Sequence, residues 1–272
     1  MRQAVGSFVL SLSVLSIPGV ALADVDVTTS IDLTQVQISA TNCATCSVQL
    51  TPTFANAYGS VFDSLGGAAT GIDFFESGSA SASASTTLAT WSGAADSVAL
   101  TASTSSAVHI HDPIAAEAGT VPGGNYGDLG GPPGLSMGTF EILDSSGGIN
   151  LVTVSFSASV NGDQELTTDA SGVSATSEVT FFLVVGATQE LFLDSPLAIG
   201  PSSSLSSPFS TTLNGSDTLL TNSVYSFETN VDAESYGLNT PEPSYSLLTG
   251  CACLLLLARR LRRTKYNPLS NL

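Results

Sequence analysis

Residues 25–41 read VDVTTSIDLTQVQISAT, and for most of that length an apolar side chain follows every polar one. In an extended chain successive side chains point to opposite faces, so this period of two lets a strand bury one face and wet the other. Three more stretches carry the same signature of Val, Thr, Phe and Tyr: INLVTVSFSASV (149–160), SEVTFFLVVG (177–186) and NSVYSFETNVDAESYG (222–237). No window shows a sustained helical period with caps. The fold class expected is all-β, an antiparallel β-sandwich or jelly-roll-like body.

The connections are expected from turn chemistry. Asn161-Gly162 lies between two strand-like runs and predicts a tight hairpin. Residues 118–138, AGTVPGGNYGDLGGPPGLSMG, are dense in Gly and Pro and predict a long loop, with one continuous sandwich around it. PSSSLSSP (201–208) predicts a shorter loop. GSASASASTT (78–87) alternates strictly: as a strand it places Ser79, Ser81, Ser83 and Ser85 on one face and Ala80, Ala82 and Ala84 on the other. It reads either as a flat strand able to pair closely with a neighbouring chain, as suits a matrix protein, or as a poorly packed edge strand or flexible low-complexity loop.

Charge is segregated along the chain. Of six basic residues, Arg2 stands near the start and Arg259, Arg260, Arg262, Arg263 and Lys265 near the end, while all 23 acidic residues lie between. A net charge of −17 with no Lys or Arg from residue 3 to 258 leaves nothing to neutralise phosphates, which excludes nucleic acid as an expected partner. A direct grip on anionic polysaccharide is disfavoured for the same reason. The high negative charge favours solubility during export and attracts divalent cations, Ca2+ foremost.

The two ends read as targeting segments. Arg2, the apolar run VGSFVLSLSVLSIPGVAL and the small-x-small element Ala21-Leu22-Ala23 predict a signal peptide over residues 1–23. Signal peptidase cleavage would leave Asp24 as the new N-terminus. At the other end, Ser244 to Ala258 are uncharged and mostly apolar, and four arginines follow within five residues. A helix of about fifteen residues is roughly 22 Å long, and snorkelling arginines and local thinning close the gap to a bilayer core of about 30 Å. The basic cluster would hold the C-terminus in the cytoplasm and the body outside. Pro241-Glu242-Pro243 upstream cannot continue a helix and forms a stiff element just outside the membrane.

Pro241-Glu242-Pro243-Ser244, a short leucine-rich segment and Arg259-Arg260-Leu261-Arg262-Arg263 together resemble the PEP-CTERM sorting signal. The resemblance implies recognition by exosortase, a membrane-embedded transpeptidase-like cysteine protease of Gram-negative bacteria that make exopolysaccharide. It further implies removal of the tail near the Pro-Glu-Pro element and delivery to the cell surface or extracellular matrix. It covers only the last thirty or so residues. Two departures stand out: Cys251 and Cys253 sit within the apolar segment, and seven residues follow Lys265. Leu248–Cys251 also matches a lipobox, but at the wrong end of the chain. The organisation expected is a signal peptide (1–23), an acidic β-rich extracellular domain (24–238), a sorting signal (239–265) and a cytoplasmic tail (266–272).

Within the body few groups carry chemistry. Cys43-Ala44-Thr45-Cys46 is a CxxC; in an exported chain without nearby cations a local disulfide is the default over redox catalysis. His109-Ile110-His111-Asp112 is the sharpest polar constellation: on a strand both imidazoles share a face, as a metal ion requires, and Asp112 would add an oxygen or orient a ring. A solvated pair is the plainer alternative. A four-ligand zinc site with Cys43 and Cys46 needs residues some sixty positions apart to converge. The carboxylates of DVD (24–26), LDSSGG (143–148) and NGD (161–163) are candidate calcium ligands, without an EF-hand or nonapeptide pattern. No residue is singled out as catalytic.

The function expected is therefore non-enzymatic: an exported structural or adhesive component of the surface or biofilm matrix, in contact with exopolysaccharide. An alternative is a carbohydrate-binding module for neutral sugars, stacking them on Trp91, Tyr58, Tyr126 or Tyr225. A secreted polysaccharide hydrolase is the third reading, and it would need two facing carboxylates in a cleft.

Overall fold

The computed structural model describes residues 24–75, 78–111, 116–121, 135–169 and 173–239. These residues form fourteen strands in two antiparallel sheets that pack face to face, an all-β architecture consistent with a β-sandwich. In the first sheet the strand order is β12 (Ser203–Ser206), β9 (Leu151–Thr168), β1 (Val25–Thr41), β6 (Thr101–Ile110), β5 (Ala89–Asp96) and β4 (Ser79–Ser85), with β13 (Phe209–Leu220) also on β9. In the second the order is β11 (Thr188–Ile199), β10 (Val173–Val185), β14 (Val224–Asn239), β7 (Ala116–Val121), β2 (Cys46–Asp63) and β3 (Ala68–Phe75). There β8 (Leu135–Asp144) lies in line with β7, between the same two neighbours.

The alternation in the sequence becomes the inner face. Val25, Val27, Ile31 and Leu33 of β1 meet Phe156, Val160 and Leu166 of β9, and Val179, Phe181 and Leu183 of β10 in one buried core. Each apolar side chain removed from water in this way contributes about 1.5–3 kcal/mol. The core is also threaded by hydroxyls. Thr29 Oγ1 lies 2.7 Å from Ser177 Oγ and 2.8 Å from Ser235 Oγ, and Ser106 Oγ lies 2.8 Å from Ser235 Oγ. Gln164, fully buried, donates from Nε2 to Ser177 Oγ and to the Ser195 carbonyl, both at 2.9 Å. This network ties the sheets in one register, because sliding them would strand buried polar atoms.

The four predicted strands correspond to β1, β9, β10 and β14, but three predicted connections do not hold. Asn161-Gly162 is no hairpin: β9 runs straight through it, paired on one side with β1 and on the other with β13. Glycine is needed there for close approach, since a Cβ at Gly162 would come within 2.3 Å of the Phe209 ring. The loop expected over 118–138 is narrower, because β7 reaches Val121 and β8 starts at Leu135; residues 122–134 lie outside the described set. Within the 201–208 loop, Ser203–Ser206 pair with β9 as a short strand.

Residues 79–85 do form an edge strand, with the serines exposed and Ala80 and Ala84 buried. The strand lies over β3: the Ser83 carbonyl sits where a Cβ of Gly71 would be, 2.4 Å away, and Ser81 N–H donates to Asp73 at 2.9 Å. One backbone N–H of this edge is thus already satisfied, which lowers its appetite for another chain.

Candidate functional site

The first candidate sits where β1 begins and β6 ends. Asp26 pairs with His109 in the β1–β6 register. The His109 N–H donates to Leu88 O at 2.9 Å on the far side, so Asp26 and His109 form a non-hydrogen-bonded pair, whose side chains approach most closely. His109 Nδ1 is 2.8 Å from Asp26 Oδ1, His111 Nδ1 is 3.4 Å from Asp24 Oδ1, and His111 Nε2 is 4.0 Å from Asp26 Oδ1. The two imidazoles are nearly parallel, with centroids 6.5 Å apart and 13° between planes. The expected pair on one face is therefore present, and its carboxylate companions come from the neighbouring strand. Asp112 lies outside the described residues.

Cys43 and Cys46 are joined in a disulfide across the turn that carries the chain from β1 to β2. The four-ligand site with the histidines is overturned. The cysteines lie beyond one end of β1 and the histidines beside the other, on the order of 50 Å apart at ~3.3 Å per residue. Asp144 completes a group with the two sulfurs, all within 4.8 Å of one another. Bonded sulfurs are poor ligands, and Asp144 is already engaged: Thr45 Oγ1 and Ser146 N–H donate to Oδ1 at 2.8 and 2.9 Å, and Asn150 Nδ2 to Oδ2 at 3.2 Å. Those hydrogen bonds, led by that from Ser146 N–H, hold its pKa down to about 2. The LDSSGG segment is thus a turn closed on its own carboxylate.

A second candidate, with no sequence signal, lies on the outer face of the second sheet. Glu178 of β10 stands opposite Glu234 of β14, and Asp232 is two residues along the same face. Glu178, Glu234, Tyr236, Thr176 and Pro196 line an open groove of about 330 Å³. Asp232 is buried, and desolvation raises its pKa to about 6. Burial, with the charges of Asp232 and Glu178 added, pushes Glu234 up to about 8. Burial thus favours a proton held between the Asp232 and Glu234 carboxyl groups, the heavier share of the upward shift falling on Glu234. Residues 231–235 of β14 fall between the ends of β7 and β8, and among the described residues they have no strand partner on that side. Nearby Asn56 and Asn230, 5% and 3% exposed, each bury an Oδ1 that has no hydrogen-bond partner among the described residues.

The outer face of the first sheet is different again. Ser83, Ser92, Ser105, Ser30 and Asp163 stand in register across five strands. The four serines, with Asp32 and Ser103, border a hydroxyl-lined depression of about 620 Å³. Asp163, the third calcium candidate, belongs to this row and not to a loop.

Of the described aromatic residues offered for sugar stacking, Trp91 and Tyr225 face the core, whereas Tyr58 lies on the outer face of the second sheet, in line with Asn56, and is nearly covered there. Trp91 and Tyr58 are 3% and 9% exposed, and Tyr225 stacks on Phe140 and takes its hydroxyl to Leu220. Tyr126 lies outside the described residues, as do Ala21, Ala23 and the tail residues Pro241, Glu242, Pro243, Ser244, Arg259, Arg260, Arg262, Arg263 and Lys265. Among the described residues no helix is long and apolar enough to cross a membrane. No protein family, curated protein or solved structure matches this chain.

Proposed function

We propose that this chain is an exported structural or adhesive protein of the cell surface or exopolysaccharide matrix. Its signal peptide is removed after Ala23, and a short C-terminal membrane helix holds it until exosortase acts at Pro241-Glu242-Pro243. The body is a jelly-roll-like sandwich presented outside the cell. The observation that carries this reading is the segregation of charge, with cations at both ends and none across residues 3–258. A body that offers hydroxyls and carboxylates outside, with Trp91 packed within and Tyr58 nearly covered, fits an adhesive surface better than a sugar-stacking one.

Mass spectrometry of native material tests the proposal. The expected mass begins at Asp24 and ends near the Pro-Glu-Pro element, and a variant with Pro241, Glu242 and Pro243 all changed to alanine stays in the membrane fraction. Extracellular material with an intact C-terminus, or unchanged release of the variant, overturns the sorting assignment. For the cation-bridging part, millimolar Ca2+ is expected to raise Tm or promote self-association, and EDTA to reverse either effect. Indifference to both would remove calcium from the proposal.

A second reading, polysaccharide hydrolysis, is favoured by one feature: Glu234, its pKa pushed up to about 8, faces Glu178 in an open groove. Release of reducing ends from the host's own polysaccharide, lost in Glu234→Gln, is the outcome expected if that reading is correct. No release by the unaltered protein removes it.

A further inference from the structure

We propose that Asp24, Asp26, His109 and His111 form a binding site for a divalent first-row transition ion, Zn2+ or Cu2+, that fastens the first strand of the mature protein to β6. The four side chains make a two-by-two array on one patch, Asp24 just before β1 and Asp26 within it, His109 within β6 and His111 just after it. Their disposition is set by backbone pairing, because Asp26 and His109 are register partners and each chain's second ligand lies two residues on. Asp26 Oδ1 already sits 2.8 Å from one imidazole nitrogen and 4.0 Å from a nitrogen of the other ring. As placed, no three of these side chains hold ligand atoms within 4.8 Å of one another; they are 38–62% exposed, so they are free to rotate toward the 2.0–2.2 Å or so that such an ion requires.

The donor set selects the metal. Two imidazoles with two carboxylates suit Zn2+ and Cu2+, whereas Ca2+ takes oxygens only and gains nothing from the rings. No Lys or Arg exists in the body to repel a cation, and the −17 charge concentrates cations around it.

The position gives the ion a task. Asp24 becomes the first residue once the signal peptide is gone, next to Val25, which is paired with Ile110 on one side and Thr168 on the other, and chain termini fray unless tied down. An ion held jointly by β1 and β6 fixes that end. This last step rests on cleavage after Ala23; the binding site itself does not.

The test uses the exported protein recovered from cells expressing the full chain, with its N-terminus read by mass spectrometry. Isothermal titration with ZnCl2 and with CuCl2 is expected to show one ion bound with a Kd of about 1–100 μM. At a hundredfold excess over Kd, Tm should rise by about 5–10 °C. His109→Ala with His111→Ala should abolish binding, and Asp26→Asn should weaken it tenfold or more. The histidines are exposed and the aspartates half-buried at the surface, so the variants should nearly keep the unliganded Tm. A Cys43→Ser, Cys46→Ser variant should bind as the parent does. The proposal is overturned if the parent binds neither ion below millimolar concentration, if the double histidine variant binds equally well, or if the cysteine variant loses binding. Competition by equimolar Ca2+ would also overturn it, since that marks a carboxylate-only site. If binding is intact but the N-terminus is not Asp24, the site survives and only its fastening role at the mature terminus falls.

Discussion

Replacing Trp91 with alanine is expected to destabilise the protein by about 3–5 kcal/mol, a loss in Tm of roughly 6–20 °C for a body of this size. Trp91 is the only tryptophan and is 3% exposed. Its indole lies between two glycine backbones: a Cβ on Gly59 of the opposite sheet would be 2.3 Å from the ring, and one on Gly93 of its own strand 2.6 Å. The flat ring thus fills a slot that two missing side chains create, and neither wall can collapse fully into the space it would leave. Gly59→Ala attacks the same contact from the other side and should cost about 1–3 kcal/mol by overpacking. Thermal melts check both variants. A sugar-stacking role makes the opposite forecast, with Tm nearly unchanged in Trp91→Ala and glycan binding lost, and that result would return the residue to the surface.

The fold was legible wherever side-chain period and burial coincide. Residues 25–41 alternate in sequence and form β1 with the same limits, because one face packs on the second sheet and the other is wet. The errors fell on residues that have two uses. Asn-Gly is a turn signal because glycine tolerates positive φ, yet Gly162 serves to admit the Phe209 ring within a continuous strand. Trp91 could stack on sugar or fill a core, and one sequence does not say on which side of a sheet a strand with small neighbours will place it.

The candidate sites were legible only where a motif is local. The two histidines announce themselves by their spacing, but their carboxylate partners come from a strand 83 residues away in sequence and needed the register of β1 on β6. The Glu178–Asp232–Glu234 cluster left no trace at all, since it depends on which acidic residues of β10 and β14 meet and on their shared burial. The inner hydroxyl network was equally hidden: Thr29, Ser106, Ser177 and Ser235 are four among very many Ser and Thr residues, and only sheet packing distinguishes them.

Stability is expected to peak near pH 5 and to fall toward pH 8, which is unusual for a protein with so many carboxylates. Asp232 and Glu234 have folded-state pKa values of about 6 and about 8, raised above their ordinary values first by burial. In the unfolded chain both ionise near pH 4, so between about pH 4 and pH 8 the folded state holds more protons. Their stabilising contribution is complete below pH 4 and is lost as pH rises through 6 and 8. The opposite flank comes from Asp63, Asp96 and Asp144, whose pKa values are lowered by hydrogen bonds despite some desolvation. What they contribute is present above pH 4 and is lost as the solution becomes more acidic. Taken at face value the two shifts amount to about 5 kcal/mol between pH 5 and pH 8; solvent screening of the partly exposed Glu234 reduces this to on the order of 2–4 kcal/mol, or roughly 5–12 °C in Tm. General repulsion among the exposed carboxylates changes little over that interval, because they are ionised throughout. Glu234→Gln separates the two contributions: the amide keeps a donor for Asp232 but cannot ionise, so it should raise Tm at pH 8 while leaving the pH 5 value nearly unchanged. Melts of the parent that are level from pH 5 to pH 8, or a variant that fails to gain at pH 8, would show that this pair is hydrated and not desolvated as its burial requires.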